Sequence, residues 1–513
     1  MHYGLFPART RVERLRYVAT YILDELPPRP LGRHRIRLID YLLYQLSVDS
    51  YQLSDFSAVM HKFHKSIFRE YDIRGVVNET LYPTDAYHIG RRYGTLVDSR
   101  LGGKKICVGY DGRLSSPALA AELIRGLKDS GMDVVELGLG PTPMVYYSVF
   151  ELDADGGIMI TGSHNPPSHN GFKIMLGKDS LFGAEIAGLE KITEYKEGFG
   201  SVTKLNIKTR YIMRLLQDCI IEDGYKIGWD PGNGASGEIV QKLCKALPGK
   251  HFLINEKIDG KFPAHHPDPT IPENLEQLAE LVSKNKLDVG FAFDGDGDRL
   301  GIIDEKGDII WGDQLLAILA QEVLAENPGA TIIADVKSSR LFEEEVSRLG
   351  GKPLIWKTGH SLIKTKMKEM QAPLAGEMSA HIFFADKYYG FDDGIYAALR
   401  FLNIMQNSGK TASELLRALP RYYSSLEYRI PCKESDKLKI ISDLKNALKV
   451  KKASFSDIDG VRVNYEDSWW LLRASNTGNY LVARFEAKTE KKLAELEATL
   501  SGFLAEYGYF LEV

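Results

Sequence analysis

The chain has 513 residues and a mass of 57.5 kDa, room for three or four domains at about 150 residues each. With 44% hydrophobic and 26% charged residues it is neither wholly disordered nor fibrous. Lys+Arg 65 against Asp+Glu 69 leaves a net charge of −4, which excludes a uniformly basic, nucleic-acid-binding surface but not a local basic site. No apolar run approaches the roughly 18–20 residues of a membrane span. Cys107, Cys219, Cys244 and Cys432 are far apart and form no CxxC pair. Neither a zinc site nor a disulfide framework is expected, and a reducing cytoplasm fits best.

Residues 1–37 carry eight arginines together with Glu13, Asp24 and Glu25. No apolar stretch with a small-residue cleavage site follows, so a secretory signal is not expected. Val12, Leu15, Tyr21 and Ile22 fall at near-helical spacing, and Pro27 and Pro28 end the pattern. Residues 1–65 read as a helical extension that packs on the body, on a second copy or on another protein. FREYDIRG follows, with Tyr71 and Arg74.

A weak repeat organises the next 290 or so residues. Three segments read as strand, terminal Asp, small-residue turn and amphipathic helix, around Asp111, Asp230 and Asp335. Such units favour parallel strands covered by helices, with functional groups at the strand carboxyl ends. After Arg421 the pattern changes. LEYRIPC, GVRVNYE, SWWLLRAS and NYLVARFEA alternate as strands, and TEKKLAELEATLSGFLAEYG reads as a helix. The expected fold is α/β: three tandem related mixed α/β domains (66–208, 209–308, 309–420) and a C-terminal α+β domain (421–513) around a central cleft. Residues 1–65 precede them.

Four segments carry chemistry. In GGIMITGSHNPPSHNGFKIM a strand over 157–161 runs into a turn that presents Ser163 beside oriented backbone N–H groups, a setting for a phosphoryl group. Lys173 follows ten residues later. In FAFDGDGDRLG, Asp294, Asp296 and Asp298 alternate with glycines after an apolar strand, so three carboxylates can turn onto one hard divalent cation. Arg299 adds a fixed donor for a neighbouring phosphate. The same residues and Glu305 mimic a calcium-hand loop, but Arg299 stands where that loop needs glycine and the flanks read as strands. In PLAGEMSAHIFF, Glu377, Ser379 and His381 alternate; in an extended segment they share a face suited to vicinal sugar hydroxyls, with His381 available as acid or base. In LLRASNTGNY, Arg473, Ser475, Asn476 and Thr477 form a donor-rich turn fit for a tetrahedral anion. Lys337 and His360 lie in ADVKSSR and WKTGHSLIK; read alone, each is as well explained as an ordinary structural polar residue.

Together, FREYDIRG, TGSHNPPSHNGFK, DGDGDR, GEMSAH and RASNT occur over residues 66–513 in the order of the α-D-phosphohexomutase family, and are most similar to its bacterial phosphomannomutase/phosphoglucomutase branch. The resemblance implies an enzyme that interconverts hexose 1-phosphates and hexose 6-phosphates, mannose and glucose, through a phosphoserine and a hexose 1,6-bisphosphate that also serves as activator. By position, Ser163 resembles the phosphorylated serine. Asp294, Asp296 and Asp298, with a serine phosphate oxygen, resemble the Mg²⁺ ligands. Glu377 and Ser379 resemble the residues on the sugar 3- and 4-hydroxyls, and Arg473, Ser475, Asn476 and Thr477 the clamp on the non-reacting phosphate. Arg74, Lys173 and His381 resemble residues that assist proton transfer; Tyr71, Arg299, Lys337 and His360 resemble the remaining cleft contacts.

The alternatives are a phosphoglucosamine mutase, whose sugar loop typically has Gln where Met378 stands and whose serine loop lacks the pair Pro166-Pro167, and a non-catalytic sugar-phosphate binder, which should have lost Ser163 or a metal carboxylate. The chain departs from the family pattern at Ala380, usually glycine. If that position needs a positive φ, alanine costs about 1–2 kcal/mol. It departs again at Gly478-Asn479 after the clamp, and in the N-terminal extension, which is not part of the usual bacterial core.

Overall fold

The computed structural model describes residues 61–222, 224–475 and 478–511. The expected helix and self-association of residues 1–65 therefore fall almost wholly outside the described residues, as do Asn476 and Thr477. Residues 62–513 form one compact unit built on four sheets.

The first sheet contains β1 (Ile73–Val76), β2 (Lys105–Tyr110), β3 (Asp133–Leu139), β4 (Gly156–Ile160), β5 (His169–Leu176), β6 (Asp179–Ser180) and β7 (Val202–Lys204), in the order β1-β5-β4-β2-β3-β7 with β6 on β5. The second contains β8 (Lys226–Asp230), β9 (Lys250–Leu253), β10 (Val289–Phe293), β11 (Leu300–Asp304) and β12 (Ile309–Ile310), in the order β12-β11-β10-β8-β9. The third is β13 (Thr331–Asp335), β14 (Lys352–Trp356), β15 (Leu374–Gly376) and β16 (Ile382–Phe384), in the order β14-β13-β15-β16.

These sheets share one core. The strands β3-β2-β4, β9-β8-β10 and β14-β13-β15 are parallel, and each set continues into an antiparallel partner: β5, β11 or β16. The chain reverses between those last two strands by a short loop, and these loops carry Ser163, the three aspartates and Glu377. The parallel strands are apolar along their whole length, as in β4 and β10, where every residue is buried between covering helices. The repeat legible around Asp111, Asp230 and Asp335 is therefore a repeat of topology: each aspartate closes or follows the central parallel strand of its sheet.

One hydrophobic core runs through all three lobes. It joins the helix Thr142–Glu151 of the first, Trp229 and Phe291 of the second, and the helices Gly312–Glu326 and Gly394–Ser408 of the third. The fourth lobe has its own core under a sheet of β17 (Tyr423–Ser424), β18 (Tyr428–Pro431), β19 (Val461–Asn464), β20 (Ser468–Ala474) and β21 (Tyr480–Ala487). All four expected strands are present, as is the helix, Glu490–Ala505. A second helix, Glu434–Val450, packs beside it and did not stand out in the sequence because its apolar face is broken by exposed Leu438 and buried Lys437.

The seam between the third and fourth lobes is buried: Val336 packs against Trp469 and Leu471, with a polar network beside them. Glu486 accepts from Arg340 N at 2.9 Å, Trp469 Nε1 at 2.7 Å and Ser424 Oγ at 3.0 Å. Arg462 donates to Val336 O and Ser338 O, and its guanidinium lies 3.9 Å over the Trp469 ring. Glu486→Ala leaves three donors without their acceptor, and should lower stability by roughly 2–4 kcal/mol, read as a fall in the unfolding midpoint. An unchanged midpoint would mean that water replaces the carboxylate at no cost.

Candidate active site

The four lobes face a cleft of about 1330 Å³. Tyr71, Arg74, Arg299, Lys337, His360, Glu377, Ser379, His381, Arg473 and Ser475 line it. Ser163, Lys173 and the three aspartates lie beneath its floor, behind His164 and Asn165, each at 4% exposure or less.

The Ser163 loop is held from behind. Asp111 Oδ2 accepts from Thr161 Oγ1 at 2.8 Å and from Gly162 N at 3.2 Å, and Thr161 Oγ1 accepts from Ser163 N at 2.7 Å. Ser163 has φ +48°, a left-handed conformation that costs a non-glycine residue about 1–2 kcal/mol and that clusters at functional sites. Its Oγ donates to Asp294 Oδ2 at 2.9 Å. The strand register brings the other groups of this lobe alongside. Arg74 on β1 lies opposite Gly171 on β5, two residues from Lys173, and donates to Asn165 Oδ1 at 3.0 Å.

The aspartate loop is the turn between β10 and β11. Asp294 Oδ1 accepts from the N–H groups of Gly297, Asp298 and Arg299 at 3.0–3.3 Å, which fixes the turn. Gly295 is required for contact: a Cβ there would lie 2.4 Å from Ser163 O. Lys173 Nζ donates to Asp296 Oδ2 at 2.7 Å and also to Asp298. Burial lowers the Lys173 ammonium pKa, yet Asp296 and Asp298 outweigh it and leave the pKa well above the ordinary value. Burial and then its two neighbours push Asp294 well up, whereas Lys173, His381 and Arg299 together outweigh burial at Asp298 and hold that carboxyl well down.

One oxygen from each aspartate lies within 4.8 Å of the others, and Asp296 Oδ1 is buried without a hydrogen-bond partner. An orphaned acceptor facing two further carboxylates fits a hard divalent cation, so these residues are positioned to hold a metal ion. The strands that flank the loop dispose of the calcium-hand reading.

The sugar-loop expectation needs correction. Residues 377–381 are not an extended segment with alternating faces but a tight turn between β15 and β16. Ala380 N donates to Glu377 O and Glu377 N to His381 O, each at 2.9 Å. The turn closes because Ala380 takes φ +69°. The side chains still converge: His381 Nδ1 is 3.1 Å from Glu377 Oε2 and 3.3 Å from Ser379 Oγ. Its Nε2 reaches Asp298 Oδ1 at 3.2 Å, across to the second lobe. Burial lowers the imidazole pKa, but Asp298 and Glu377 raise it to about 9 overall. Burial, and then the charges of Lys364 and Lys173, push His360 well below its ordinary value.

Further contacts tie the rim. Tyr71 Oη donates to Thr358 O at 2.7 Å, Thr358 N donates to Asp459 Oδ2 at 3.1 Å, and Arg473 Nε donates to the same oxygen at 2.9 Å. Lys337 pairs with Glu427 at 2.9 Å. Lys437 Nζ donates to Ser475 O at 3.0 Å and to Gly478 O at 2.9 Å. Thr142, Asp459, Glu427 and Lys437 were not singled out in the sequence. For Thr142, which donates through N to Asp296 O at 2.8 Å and through its hydroxyl to Asp296 Oδ2, the available signal was a strand running into the helix start Pro141-Thr142.

Residues 65–197, 209–307 and 311–423 match alpha/beta/alpha domains I, II and III of phosphoglucomutase/phosphomannomutase, and 427–502 match its C-terminal domain. The chain belongs to the α-D-phosphohexomutase family. It is 45% identical over 435 residues to a phosphomannomutase/phosphoglucomutase of Pseudomonas aeruginosa, covering 84% of this chain and 94% of that one. It is 42% identical to a phosphoglucomutase of Neisseria gonorrhoeae, covering 85% and 96%. A crystal structure of a phosphoglucomutase/phosphomannomutase family protein from Burkholderia thailandensis superposes with a TM-score of 0.82 at 41% identity, covering 88% of this chain and all of that one. This phosphohexomutase is thus an enzyme of the phosphomannomutase/phosphoglucomutase type, acting on hexose phosphates. Among the described residues no helix is long and apolar enough to cross a membrane.

Ala380→Gly relieves the left-handed strain but adds backbone entropy to the unfolded chain. A net gain of about 0.5–1 kcal/mol is expected, with turnover unchanged. Chemical denaturation together with a mutase assay reads both.

Proposed function

We propose that this enzyme reversibly interconverts mannose 1- and 6-phosphates and glucose 1- and 6-phosphates through phosphoserine 163 and a hexose 1,6-bisphosphate. The observation that carries the reading is the Ser163 hydroxyl held in a left-handed turn 2.9 Å from Asp294, beside Lys173 and under the cleft floor.

In this reading a sugar phosphate places its phosphate in the Arg473–Ser475 clamp, with Asn476 and Thr477, and its free hydroxyl at phosphoserine 163. The P–Oγ bond breaks as a bond from phosphorus to the sugar oxygen forms. The sugar hydroxyl gives up one proton and Ser163 Oγ takes one, with Arg74, Lys173 and His381 assisting. The 1,6-bisphosphate then turns end for end, and the reverse transfer restores the phosphoserine. Glu377 and Ser379 suit both orientations because vicinal hydroxyls exchange places on turning. Tyr71, Arg299, Lys337 and His360 complete the contacts. Phosphoserine carries about −1.5 to −2 charges. Asp294, Asp296 and Asp298, with a Ser163 phosphate oxygen, would hold Mg²⁺, which when bound neutralises charge at the transferring phosphoryl group. Domain boundaries at 65/66, 208/209, 308/309 and 420/421 give each domain one of these loops.

Turnover on mannose 1-phosphate, glucose 1-phosphate and glucosamine 1-phosphate, with Mg²⁺ and a trace of hexose 1,6-bisphosphate, tests the substrate. Comparable rates on the first two and little on the third are expected; a preference for the third would overturn the sugar assignment. Ser163→Ala should abolish turnover, and unchanged turnover would sink the phosphoserine role. Chelation should remove activity and Mg²⁺ restore it.

A further inference from the structure

Arg113 follows Asp111 by two residues and takes no part in the scheme above. The residue is 1% exposed, and its side-chain N–H donors face the nucleophile loop or Asp111. Nε donates to Asp111 Oδ2 at 3.1 Å. One terminal nitrogen donates to Pro166 O at 2.6 Å and His169 O at 3.0 Å, and the other to Ser163 O and Asn165 O, both at 2.6 Å. Four carbonyls of one seven-residue loop thus converge on a single planar cation. No cis peptide interrupts the described chain, and in a trans peptide the carbonyl and the next N–H point to opposite sides. Turning Ser163 O inward therefore turns His164 N–H outward. The two prolines at 166 and 167 carry no N–H.

The other side of the guanidinium is closed by the second lobe. The Phe262 ring lies 5.1 Å from Arg113 Cζ. The backbones around them touch: a Cβ on Gly260 would lie 2.5 Å from Gly112 O, and one on Gly112 would lie 2.4 Å from Ile258 Cγ2. A Cβ on Gly162 would strike the guanidinium itself at 2.5 Å. Arg113 thus lies between the loop that carries Ser163 and the lobe that carries Asp294.

We propose that Arg113 is a positioning residue for phosphoryl transfer. It fixes the loop so that Ser163 Oγ meets the aspartate loop, and it sets a permanent positive charge behind the position where the phosphodianion forms. The proposal rests on the reading of Ser163 as phosphoryl carrier. Lysine keeps the charge but supplies only three donors from one point, so it cannot hold four carbonyls and Asp111 together.

The test compares Arg113→Lys, Phe262→Leu and Ser163→Ala in the full-length enzyme. Arg113→Lys should lower kcat roughly 10- to 100-fold with KM within about twofold, as expected of misplacement by a fraction of an ångström. Isotopically phosphorylated enzyme should lose its label several-fold faster than the parent. Phe262→Leu, which leaves the hydrogen bonds in place but loosens their backing, should shift both readouts the same way by less; it decides the matter if the lysine variant does not fold. Wild-type kcat and label lifetime in the folded variants, or a kcat loss that only tracks the unfolded fraction, would overturn the proposal. An inactive Ser163→Ala beside a normal Arg113→Lys sinks the positioning role alone, whereas an active Ser163→Ala sinks the carrier reading beneath it.

Discussion

Three buried carboxylates within 4.8 Å of one another repel, and most of the architecture around the cleft answers that repulsion. Like charges so close in a dry interior cannot all stay ionised without counter-charge. The protein supplies it from three directions: Lys173 from the first lobe, Arg299 from the turn itself and His381 from the third lobe. Each compensating group comes from a different lobe. The carboxylate cluster therefore depends on the lobes being docked, and the docking brings Ser163 against Asp294 and His381 against Asp298.

The repeated sheet makes this convergence economical. In each of the first three lobes an aspartate at the end of the central parallel strand grips a loop that carries chemistry or its neighbour. Asp111 binds Thr161 and Gly162 before Ser163. Asp230 binds Asn255 and His265. Asp335 binds Met378 N in the turn between β15 and β16 and Thr358 Oγ1 beside the rim. One device, applied three times, aims loops of different composition at one space. The fourth lobe breaks the pattern and is joined through a small apolar contact and a polar network rather than through the common hydrophobic core.

Local pattern carried much of this. Alternating Asp and Gly after an apolar run and the repeat around Asp111, Asp230 and Asp335 were legible, because each depends on residues a few positions apart. The conformation of residues 377–381 was not. Alternation of polar groups has the same appearance in a strand and in a turn, and only the left-handed Ala380 distinguishes them. The pairing of Lys173 with Asp296, of Thr142 with the same aspartate and of Asp459 with Arg473 and Thr358 was also hidden, since partners from different sheets leave no spacing to read. The Glu434–Val450 helix escaped for a third reason: its inward face includes a lysine whose ammonium serves two backbone carbonyls.

The backbone at Ser163 also limits what heredity can try there. Threonine has the same hydroxyl and, as a chemical matter, could carry a phosphoryl group. At φ +48°, however, a β-branched side chain crowds its own main chain, and such residues are rare outliers in that region. A serine-to-threonine change, among the mildest in most settings, would here have to open the turn that Asp111 and Thr161 close. For Ser163 as the proposed phosphoryl carrier, the choice between two chemically equivalent hydroxyls is thus made by backbone geometry, and exchanging them requires the whole loop to change with it.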